Sequence, residues 1–177
     1  MLVEVRVQSL GLDRSSNTPV VILQELSGDR VLPIWIGPGE ASAIAMQLAD
    51  MKFERPLTHD LLVSVLEGMG GTLDRVVISR VEKGTYYAEL RVQRNGSLVT
   101  LDARPSDSIA VALRVDARMY ADESLLERTE VEIAEDSEEV APPTPASDSA
   151  TGQPMGPEEL KEHLRRLNPE DFGRFNP

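Results

Sequence analysis

The feature that most constrains the fold is a change of hydrophobic spacing along the first 134 residues. Apolar and charged residues alternate between positions 3 and 7, which is the period of a strand with one buried face. Two apolar runs, 19–26 and 31–36, flank turn-forming residues 27–30, and this arrangement predicts a hairpin. The chain is therefore expected to begin as antiparallel sheet.

Helical spacing replaces this alternation at three places. Apolar residues recur every three or four positions after Gly39, and small residues crowd that face. Thr58 is predicted to be the N-cap of a second helix, and Pro105 suits the first turn of a third, largely buried helix. The first two helices are close in sequence, so we expect them to interrupt the strands as a cluster.

Strands are predicted again between the second and third helices. Residues 72–81 and 85–92 carry strand patterns, and a further strand starts near Leu98 after Asn95-Gly96, a strong hairpin sequence. These three strands predict an antiparallel meander. Together the patterns indicate an α+β fold, a mostly antiparallel sheet packed with clustered helices, rather than a βαβ repeat.

Composition changes after residue 134. Residues 1–134 are expected to form a single compact domain of ordinary size. Residues 135–157 are acidic and rich in Pro and Ser, which predicts a disordered linker. Residues 158–177 contain leucines at helical spacing and two phenylalanines, which predicts a short amphipathic segment that either docks on a protein partner or frays.

The charge of the chain restricts how it can bind nucleic acid. The formal net charge is −12, and residues 135–177 hold 10 acidic and 4 basic side chains, which is half of the excess. Nucleic-acid affinity is dominated by Lys and Arg contacts to phosphate, so any such contact requires a local basic patch or bound cations. Aromatic residues make up only 4% of the chain, so stacking platforms for bases are few.

Other composition limits concern location and metal chemistry. The chain has no cysteine, which excludes disulfides and thiolate ligands, and only two histidines. Its N-terminus alternates like a strand rather than showing a signal-peptide core, and no apolar window approaches the roughly 18 residues of a membrane helix. We expect a cytoplasmic protein without membrane contact.

Acidic and basic side chains cluster at three junctions that lead into helices. Carboxylate oxygens suit the hard cations Mg²⁺ and Mn²⁺, which assist phosphodiester hydrolysis. A histidine can act as general acid or base near neutral pH, and an arginine can hold phosphate with its forked donors. The predicted catalytic residues are Asp102, Asp107, His59 and Asp60; the predicted substrate-binding residues are Arg104 and Ser106; the predicted metal ligands are Glu40, Asp60, Asp102 and Asp107.

Each of these candidates also has a purely structural interpretation. Carboxylates in the first turn of a helix are favoured by the helix dipole, which alone accounts for Glu40, Asp60 and Asp107. The imidazole of His59 could satisfy a loop carbonyl. Asp102 and Arg104 are two residues apart, so on a strand they would share a face and form an ion pair.

Five segments of the chain carry a family resemblance. They are Pro19-Val20-Val21-Ile22-Leu23, Leu32 to Gly37 with Glu40-Ala41, Arg55-Pro56-Leu57-Thr58-His59-Asp60-Leu61-Leu62, Thr85-Tyr86-Tyr87-Ala88, and Asp102-Ala103-Arg104-Pro105-Ser106-Asp107. In this order they resemble the bifunctional nuclease (BFN) domain family. The resemblance implies DNase and RNase activity, and we predict a metal-assisted nuclease with little sequence specificity.

Two other functions compete with the nuclease prediction. The chain could be a non-catalytic regulatory or scaffold module, because we expect it to form a homo-oligomer in which the junctions make the subunit interface. It could also bind a small anionic metabolite at the helix starts, where free backbone N–H groups favour anions. The positions of the predicted site residues in the fold bear on all three functions.

Overall fold

The computed structural model describes residues 1–13 and 16–126 of the chain. These residues belong to a compact unit that extends from Met1 to Glu132. The predicted linker at 135–157 and the predicted amphipathic segment at 158–177 lie outside the described residues.

Seven strands form one sheet in the described residues. In chain order they are β1 (Leu2–Asp13), β2 (Thr18–Glu25), β3 (Val31–Trp35), β4 (Gly71–Glu82), β5 (Thr85–Arg94), β6 (Ser97–Ala103) and β7 (Arg118–Asp122). Across the sheet the order is β3-β2-β1-β7-β4-β5-β6. Every neighbouring pair is antiparallel except β4 with β7, which is parallel. The predicted hairpin β2-β3 and the predicted meander β4-β5-β6 are both present.

A tight turn fixes the register of the last hairpin. Asn95 and Gly96 have φ angles of 50° and 78°. Positive φ at both central residues is the type I′ geometry, whose twist matches that of the flanking strands. The turn pairs Arg94 with Ser97, and the pairing then continues without a shift to the end of β6. The orientation of every side chain on β6 follows from this turn.

The helices form one layer on the sheet. They are α1 (Pro38–Leu48), α2 (Thr58–Gly68) and α3 (Pro105–Val115), followed by a 3₁₀ turn at Glu123–Leu125. Helix α3 contacts both α1 and α2, and it also packs on β4 and β5. The helices therefore cover a single face, called here the helix face, and the opposite face is called the open face. No helix in the described part of the chain is long and apolar enough to cross a bilayer.

Helix α3 is the centre of the hydrophobic core. Its residues Ile109, Ala110 and Ala112 are fully buried, as are Val76 and Ile78 of β4 in the same core. The two alanines allow the helix backbone to lie close to its neighbours, and full burial of Ile109 stabilises the fold by about 1.5–3 kcal/mol. The prediction of a largely buried third helix is confirmed. The helix face thus holds the start of α3 in a fixed position.

The α+β prediction is confirmed, but one detail of the second helix was wrong. The N-cap of α2 is Leu57 rather than Thr58, and it has no capping side chain. The carboxylate of Asp60 instead accepts a hydrogen bond from the Leu57 backbone N–H at 2.8 Å. The sequence prediction chose the residue with the best capping side chain, whereas the helix is capped from within by its third residue.

Candidate functional site

All three helices carry an acidic residue at the same position in their first turn. Glu40, Asp60 and Asp107 are each the third residue of α1, α2 and α3, respectively. A carboxylate at this position is favoured by the free backbone N–H groups and by the positive end of the helix dipole. The helix starts explain the spacing of these residues, but tertiary packing gives them different surroundings.

A cleft of about 690 Å³ lies where the starts of the three helices meet. Its polar part contains four of the predicted site residues, Glu40, His59, Arg104 and Asp107. The rest of its lining is largely apolar and includes Ala43, Met46, Pro56 and Leu57. Residues from three separate segments therefore converge on one accessible space.

Arg104 connects the two carboxylates of the cleft. Its Nη1 atom lies 2.7 Å from Oε1 of Glu40, and its Nε atom lies 2.8 Å from Oδ2 of Asp107. Hydrogen bonds to Asp107 first, and then to Glu40, raise the pKa of the Arg104 guanidinium, so it remains charged. The expected Asp102–Arg104 pair on a strand is wrong, because β6 ends at Ala103 and Arg104 is already the N-cap of α3.

The guanidinium of Arg104 also keeps donors for a ligand. Its side chain is 66% exposed. Among the described residues its Nη2 atom has no hydrogen-bond partner. The two N–H donors of Nη2 therefore remain available in the cleft. Donors of a guanidinium that is held in place bind phosphate oxygens well.

His59 and Asp107 form the second contact of the cluster. Nε2 of His59 lies 3.1 Å from Oδ1 of Asp107, and the His59 side chain is only 13% exposed. Burial raises the pKa of Asp107, but hydrogen bonds from Arg104 and His59 outweigh it, so the pKa lies below its ordinary value. An ionised carboxylate can only accept, so Nε2 of His59 carries the hydrogen and Nδ1 of the neutral ring carries the lone pair.

Gly37 allows the carboxylate of Glu40 to fold back over the start of α1. A Cβ atom at position 37 would collide with Oε2 of Glu40. Gly37 is the N-cap of α1 and has an ordinary extended backbone, so glycine here provides space for the Glu40 carboxylate rather than an unusual φ. A side chain here would displace one of the two cleft carboxylates.

Asp60 does not belong to the cleft. Its carboxylate accepts hydrogen bonds from the Leu57 backbone N–H at 2.8 Å and from Nε of Arg114 at 2.5 Å. These two contacts, in that order of importance, lower the pKa of Asp60. Arg114 is almost fully buried and also donates to the carbonyl oxygens of Ala110 and Ala43. Asp60 is thus bound to an arginine that joins all three helices.

Asp102 lies on the other side of the sheet. It pairs with Glu89 of β5, whose sequence neighbours Ala88 and Leu90 face the core. Side chains alternate along a strand, and directly opposed residues share a face. Asp102 and Glu89 therefore point to the open face, away from the cleft. Ser106, the other predicted site residue, is 6% exposed and is not part of the cleft lining.

The predicted set of four metal-binding carboxylates is not assembled. Within the described residues, no group of three or more His, Asp or Glu side chains could hold a metal ion between them. Asp60 is bound to Arg114, and Asp102 faces the opposite side of the sheet. Glu40 and Asp107 remain in the cleft and supply the carboxylate oxygens that Mg²⁺ or Mn²⁺ would use there.

Arg114 is the residue that sequence reasoning missed. It lies seven residues after Asp107, about two helical turns, so both residues are on nearly the same side of α3. A lone arginine in the last turn, directly after the apolar residues 109–113, was the available signal. Its partners on α1 and α2 could not be identified from the sequence, because they depend on how the helices pack.

The chain is similar in sequence to a known domain family and to proteins of other organisms. The family model of the bifunctional nuclease domain matches residues 21–134. Uncharacterized proteins from two strains of Mycobacterium tuberculosis are each 40% identical over 169 residues, which is 96% of this chain and 97% of theirs.

More distant matches carry a functional name. Bifunctional nuclease 1 of Arabidopsis thaliana is 23% identical over 139 residues, which is 77% of this chain and 42% of the plant protein. Bifunctional nuclease 2 of Oryza sativa subsp. japonica is 25% identical over 122 residues, which is 67% of this chain and 38% of that protein. Because the family model matches well over half of the chain, the chain belongs to the bifunctional nuclease domain family.

Proposed function

We propose that this protein is a nuclease that hydrolyses phosphodiester bonds of DNA and RNA at the cleft between the helix starts. The observation that carries the proposal is the continuous cluster of Glu40, Arg104, Asp107 and His59 on the cleft wall. Family membership and the distant nuclease relatives support the reaction class. The cluster supplies a phosphate-binding cation and a proton acceptor side by side.

His59 and Asp107 are proposed as the acid–base pair. Asp107 holds the imidazole through Nε2–H, so Nδ1 can accept a proton from the water that attacks phosphorus. The carboxylate also stabilises the imidazolium that forms when this proton arrives. The leaving oxygen departs on the opposite side of phosphorus and takes a proton from water, and the imidazolium later releases its proton to solvent.

Arg104 is proposed to bind and polarise the phosphodiester. Its free Nη2 donors would hydrogen-bond a nonbridging oxygen, while Glu40 and Asp107 fix the plane of the guanidinium. Negative charge accumulates on the nonbridging oxygens as the water attacks. A fixed cation at this place stabilises the transition state more than the ground state.

We also propose that Mg²⁺ or Mn²⁺ assists the reaction. With His59 neutral, the charges of Glu40, Arg104 and Asp107 sum to −1, which disfavours an incoming phosphodiester. A divalent ion bound to one or two carboxylates and to the substrate would reverse this sign, and Mg²⁺ in phosphoryl-transfer enzymes is often bound in this way. When bound, such an ion neutralises phosphate charge and lowers the pKa of a coordinated water.

The lining of the cleft supports low sequence specificity. Sequence reading requires donors and acceptors that match base edges, or aromatic rings that stack on bases. The apolar part of the cleft offers Ala43, Met46, Pro56 and Leu57, and the lining includes no aromatic residue other than His59. Recognition of the backbone rather than of the bases fits this surface.

The test is cleavage of end-labelled single-stranded and double-stranded DNA and RNA by the full chain with Mg²⁺ or Mn²⁺. His59→Ala and Asp107→Asn should lose activity, whereas Asp102→Asn, on the open face, should keep it. Circular dichroism and melting temperature establish that each variant folds. Intact substrates in every condition, or equal activity of all variants, would rule out the proposal.

A second candidate function is a self-associating, non-catalytic module. Helix α2 has no buried residue, and Leu61, Leu62 and Val65 on it are 56%, 42% and 48% exposed. A helix with this much exposed apolar surface is a reasonable subunit interface. Light scattering on wild type and on Leu61→Glu Val65→Glu would test it: a monomeric wild type contradicts the assembly.

A further inference from the structure

Four arginines lie side by side across the middle of the sheet. Arg75 of β4 pairs with Arg118 of β7 on one side and with Arg91 of β5 on the other. Arg6 of β1 continues the line, because the preceding residue of β1 pairs with the residue that follows Arg118. The set Arg6, Arg118, Arg75 and Arg91 is called here the arginine row.

The arginine row faces away from the helices. The core residues Val5, Val76 and Met119 are the immediate sequence neighbours of Arg6, Arg75 and Arg118. Since side chains alternate along a strand, the arginines point to the open face. In the part of the chain that the structure describes, no helix covers this face. The row is therefore separate from the proposed catalytic cleft, which lies on the helix face.

The positive charge of the row is only partly neutralised. Arg75 contacts Asp74 at 2.6 Å, and Arg91 contacts Glu89 at 3.3 Å. Arg6 and Arg118 are exposed, and no ion pair to another described residue involves them. Like charges directly opposite each other destabilise a sheet. The row and its two paired carboxylates thus carry two excess positive charges, on Arg6 and Arg118, at a place where sheet stability alone disfavours them. Glu4 and Asp102 lie farther along the same face, so the excess is confined to the row itself.

Arg91 of the row has one donor without a partner, and the aromatic ring beside the row is already in contact with Arg75. Nε of Arg91 is buried and has no hydrogen-bond partner among the described residues. The guanidinium of Arg75 lies 5.9 Å from the ring centre of Tyr120, whose hydroxyl donates to Glu4. Tyr120 is thereby occupied in positioning an arginine and a carboxylate, so bases would not stack on it. These features suit a ligand that brings negative charge without aromatic recognition.

The neighbours of the row complete a polar track across the sheet. Gln24 of β2 pairs with Arg6, and Thr100 of β6 pairs with Arg91, so each end has an uncharged hydrogen-bonding residue. Strands are about 4.8 Å apart, so the four arginines span about 14 Å. A single strand that kept the roughly 3.4 Å rise of a stacked helix would place about four nucleotides along this length.

We propose that the arginine row binds the sugar–phosphate backbone of single-stranded nucleic acid, on the face opposite to the cleft. The choice of nucleic acid as the polyanion rests on the proposed function, because an acidic peptide would offer the same charge. The row provides the local basic patch that a chain of net charge −12 needs to hold such a polymer. It would retain a substrate while another segment is cleaved.

The experiment measures binding without cleavage. Fluorescence anisotropy in EDTA follows the full chain binding to a labelled oligothymidylate of about 20 nucleotides, over a range of salt concentrations. Arg6→Ala Arg118→Ala should weaken binding about tenfold or more, and should reduce the slope of log K against log salt by about 1.4, which is about 0.7 for each lost phosphate contact. Arg6→Lys Arg118→Lys should retain most of the affinity, because each position keeps its charge.

The matched control removes two cations outside the row. Lys52→Ala Arg94→Ala has the same change in net charge, but Lys52 is paired with Asp50 and Arg94 donates to the Met69 carbonyl oxygen at the end of α2, so neither belongs to the row. This variant should bind like wild type. Equal loss in the control and in the row variant would mean that only net charge matters, and it would overturn the proposal. Unchanged affinity of the row variant would overturn it as well.

Two additional measurements separate this proposal from the proposed function. Hydrolysis of a small chromogenic phosphodiester reports the cleft alone, so it should be equal in wild type and Arg6→Ala Arg118→Ala. If binding depends on the arginine row but no substrate is hydrolysed, the binding proposal stands and the nuclease proposal is rejected. If the protein hydrolyses the substrate but the row variant binds nucleic acid like wild type, the nuclease proposal stands and the binding proposal is rejected. Row-dependent binding of polyglutamate, with no binding of the oligonucleotide, would assign the row to acidic protein segments and overturn the nucleic-acid proposal.

Discussion

Two arginine–aspartate pairs, each with its aspartate in the first turn of a helix, have the same chemistry and different surroundings. Arg104 binds Asp107 and Arg114 binds Asp60, and each aspartate is the third residue of its helix. The Arg104 side chain is 66% exposed, whereas that of Arg114 is 6% exposed. Exposure, rather than residue type, separates a pair that can meet a ligand from a pair that holds the fold.

The two arginines also differ in what their N–H donors contact. Arg114 directs its guanidinium to Asp60 and to carbonyl oxygens of Ala43 and Ala110, so α1, α2 and α3 are tied together at one point. Arg104 contacts two carboxylates and keeps Nη2 for an outside acceptor. The buried pair joins the three helices, and the exposed pair lies in the cleft between their first turns.

The largest expected effect concerns the exposed pair. If the cleft is catalytic, Asp107→Asn lowers kcat about 10²–10⁴-fold, because an amide cannot hold His59 in the tautomer with a free Nδ1 or stabilise the imidazolium. Steady-state cleavage of labelled DNA measures the change. Asp60→Asn is the comparison on the buried pair: a loss of kcat as large as that of Asp107→Asn would remove the distinction between the two pairs.

The next effect concerns the buried pair and stability. Arg114→Ala should lower the free energy of unfolding by about 2–3 kcal/mol, since it removes a buried cation that three helices share and leaves Asp60 without its charged partner. Arg104→Ala should cost less than about 1 kcal/mol, because an exposed ion pair contributes little. Urea denaturation followed by circular dichroism compares the two. Equal losses would contradict the assignment of Arg114 as the structural member.

Local sequence signals were sufficient for much of the fold and for part of the site. The type I′ sequence Asn95-Gly96 implies that Arg94 pairs with Ser97, and counting back places Asp102 opposite Glu89. The apolar residues that alternate with Glu89 then require Asp102 to face away from the core. The sequence therefore contained the information that Asp102 is not at the cleft, although the acidic cluster suggested otherwise.

Long-range packing was beyond what the sequence could reveal. The parallel pairing of β4 with β7 aligns Arg75 with Arg118, two residues that are 43 positions apart in the chain, and no turn fixes that register. The convergence of Glu40 with Asp107, and the capture of Asp60 by Arg114, likewise depend on how three helices pack on one sheet. Helix-start carboxylates are predictable one by one, but their grouping is a property of the tertiary structure.

A smaller effect appears in the pH dependence of stability. The Leu57 N–H and Arg114 hold the pKa of Asp60 below its ordinary value in the folded chain. As the pH falls, the Asp60 carboxyl of the unfolded chain is protonated first, near its ordinary pKa of about 3.9. The stabilisation by the charged carboxylate then decreases steadily and is fully lost once the folded carboxyl is protonated as well. The stability difference between wild type and Asp60→Asn should be about 1–2 kcal/mol above about pH 5 and should shrink below about pH 4.

Denaturation of both proteins at several pH values measures this difference. The stability advantage of wild type over Asp60→Asn must fall on acidification, because the folded pKa is the lower one. An advantage that is constant down to pH 3, or that grows, would show that the charged form of Asp60 is not what Arg114 stabilises. The contact between the helices would then depend on the shape of the side chains rather than on their charge.

The smallest effect tests whether the exposed pair needs the geometry of an arginine. Arg104→Lys keeps the charge but loses the fork that reaches Glu40, Asp107 and an outside acceptor together. We expect KM for a small phosphodiester to rise about threefold, and unfolding free energy to change by less than about 0.5 kcal/mol. Kinetics and melting curves of the same preparation measure both. If stability falls and KM does not change, Arg104 is a structural residue like Arg114, and exposure does not distinguish the two pairs.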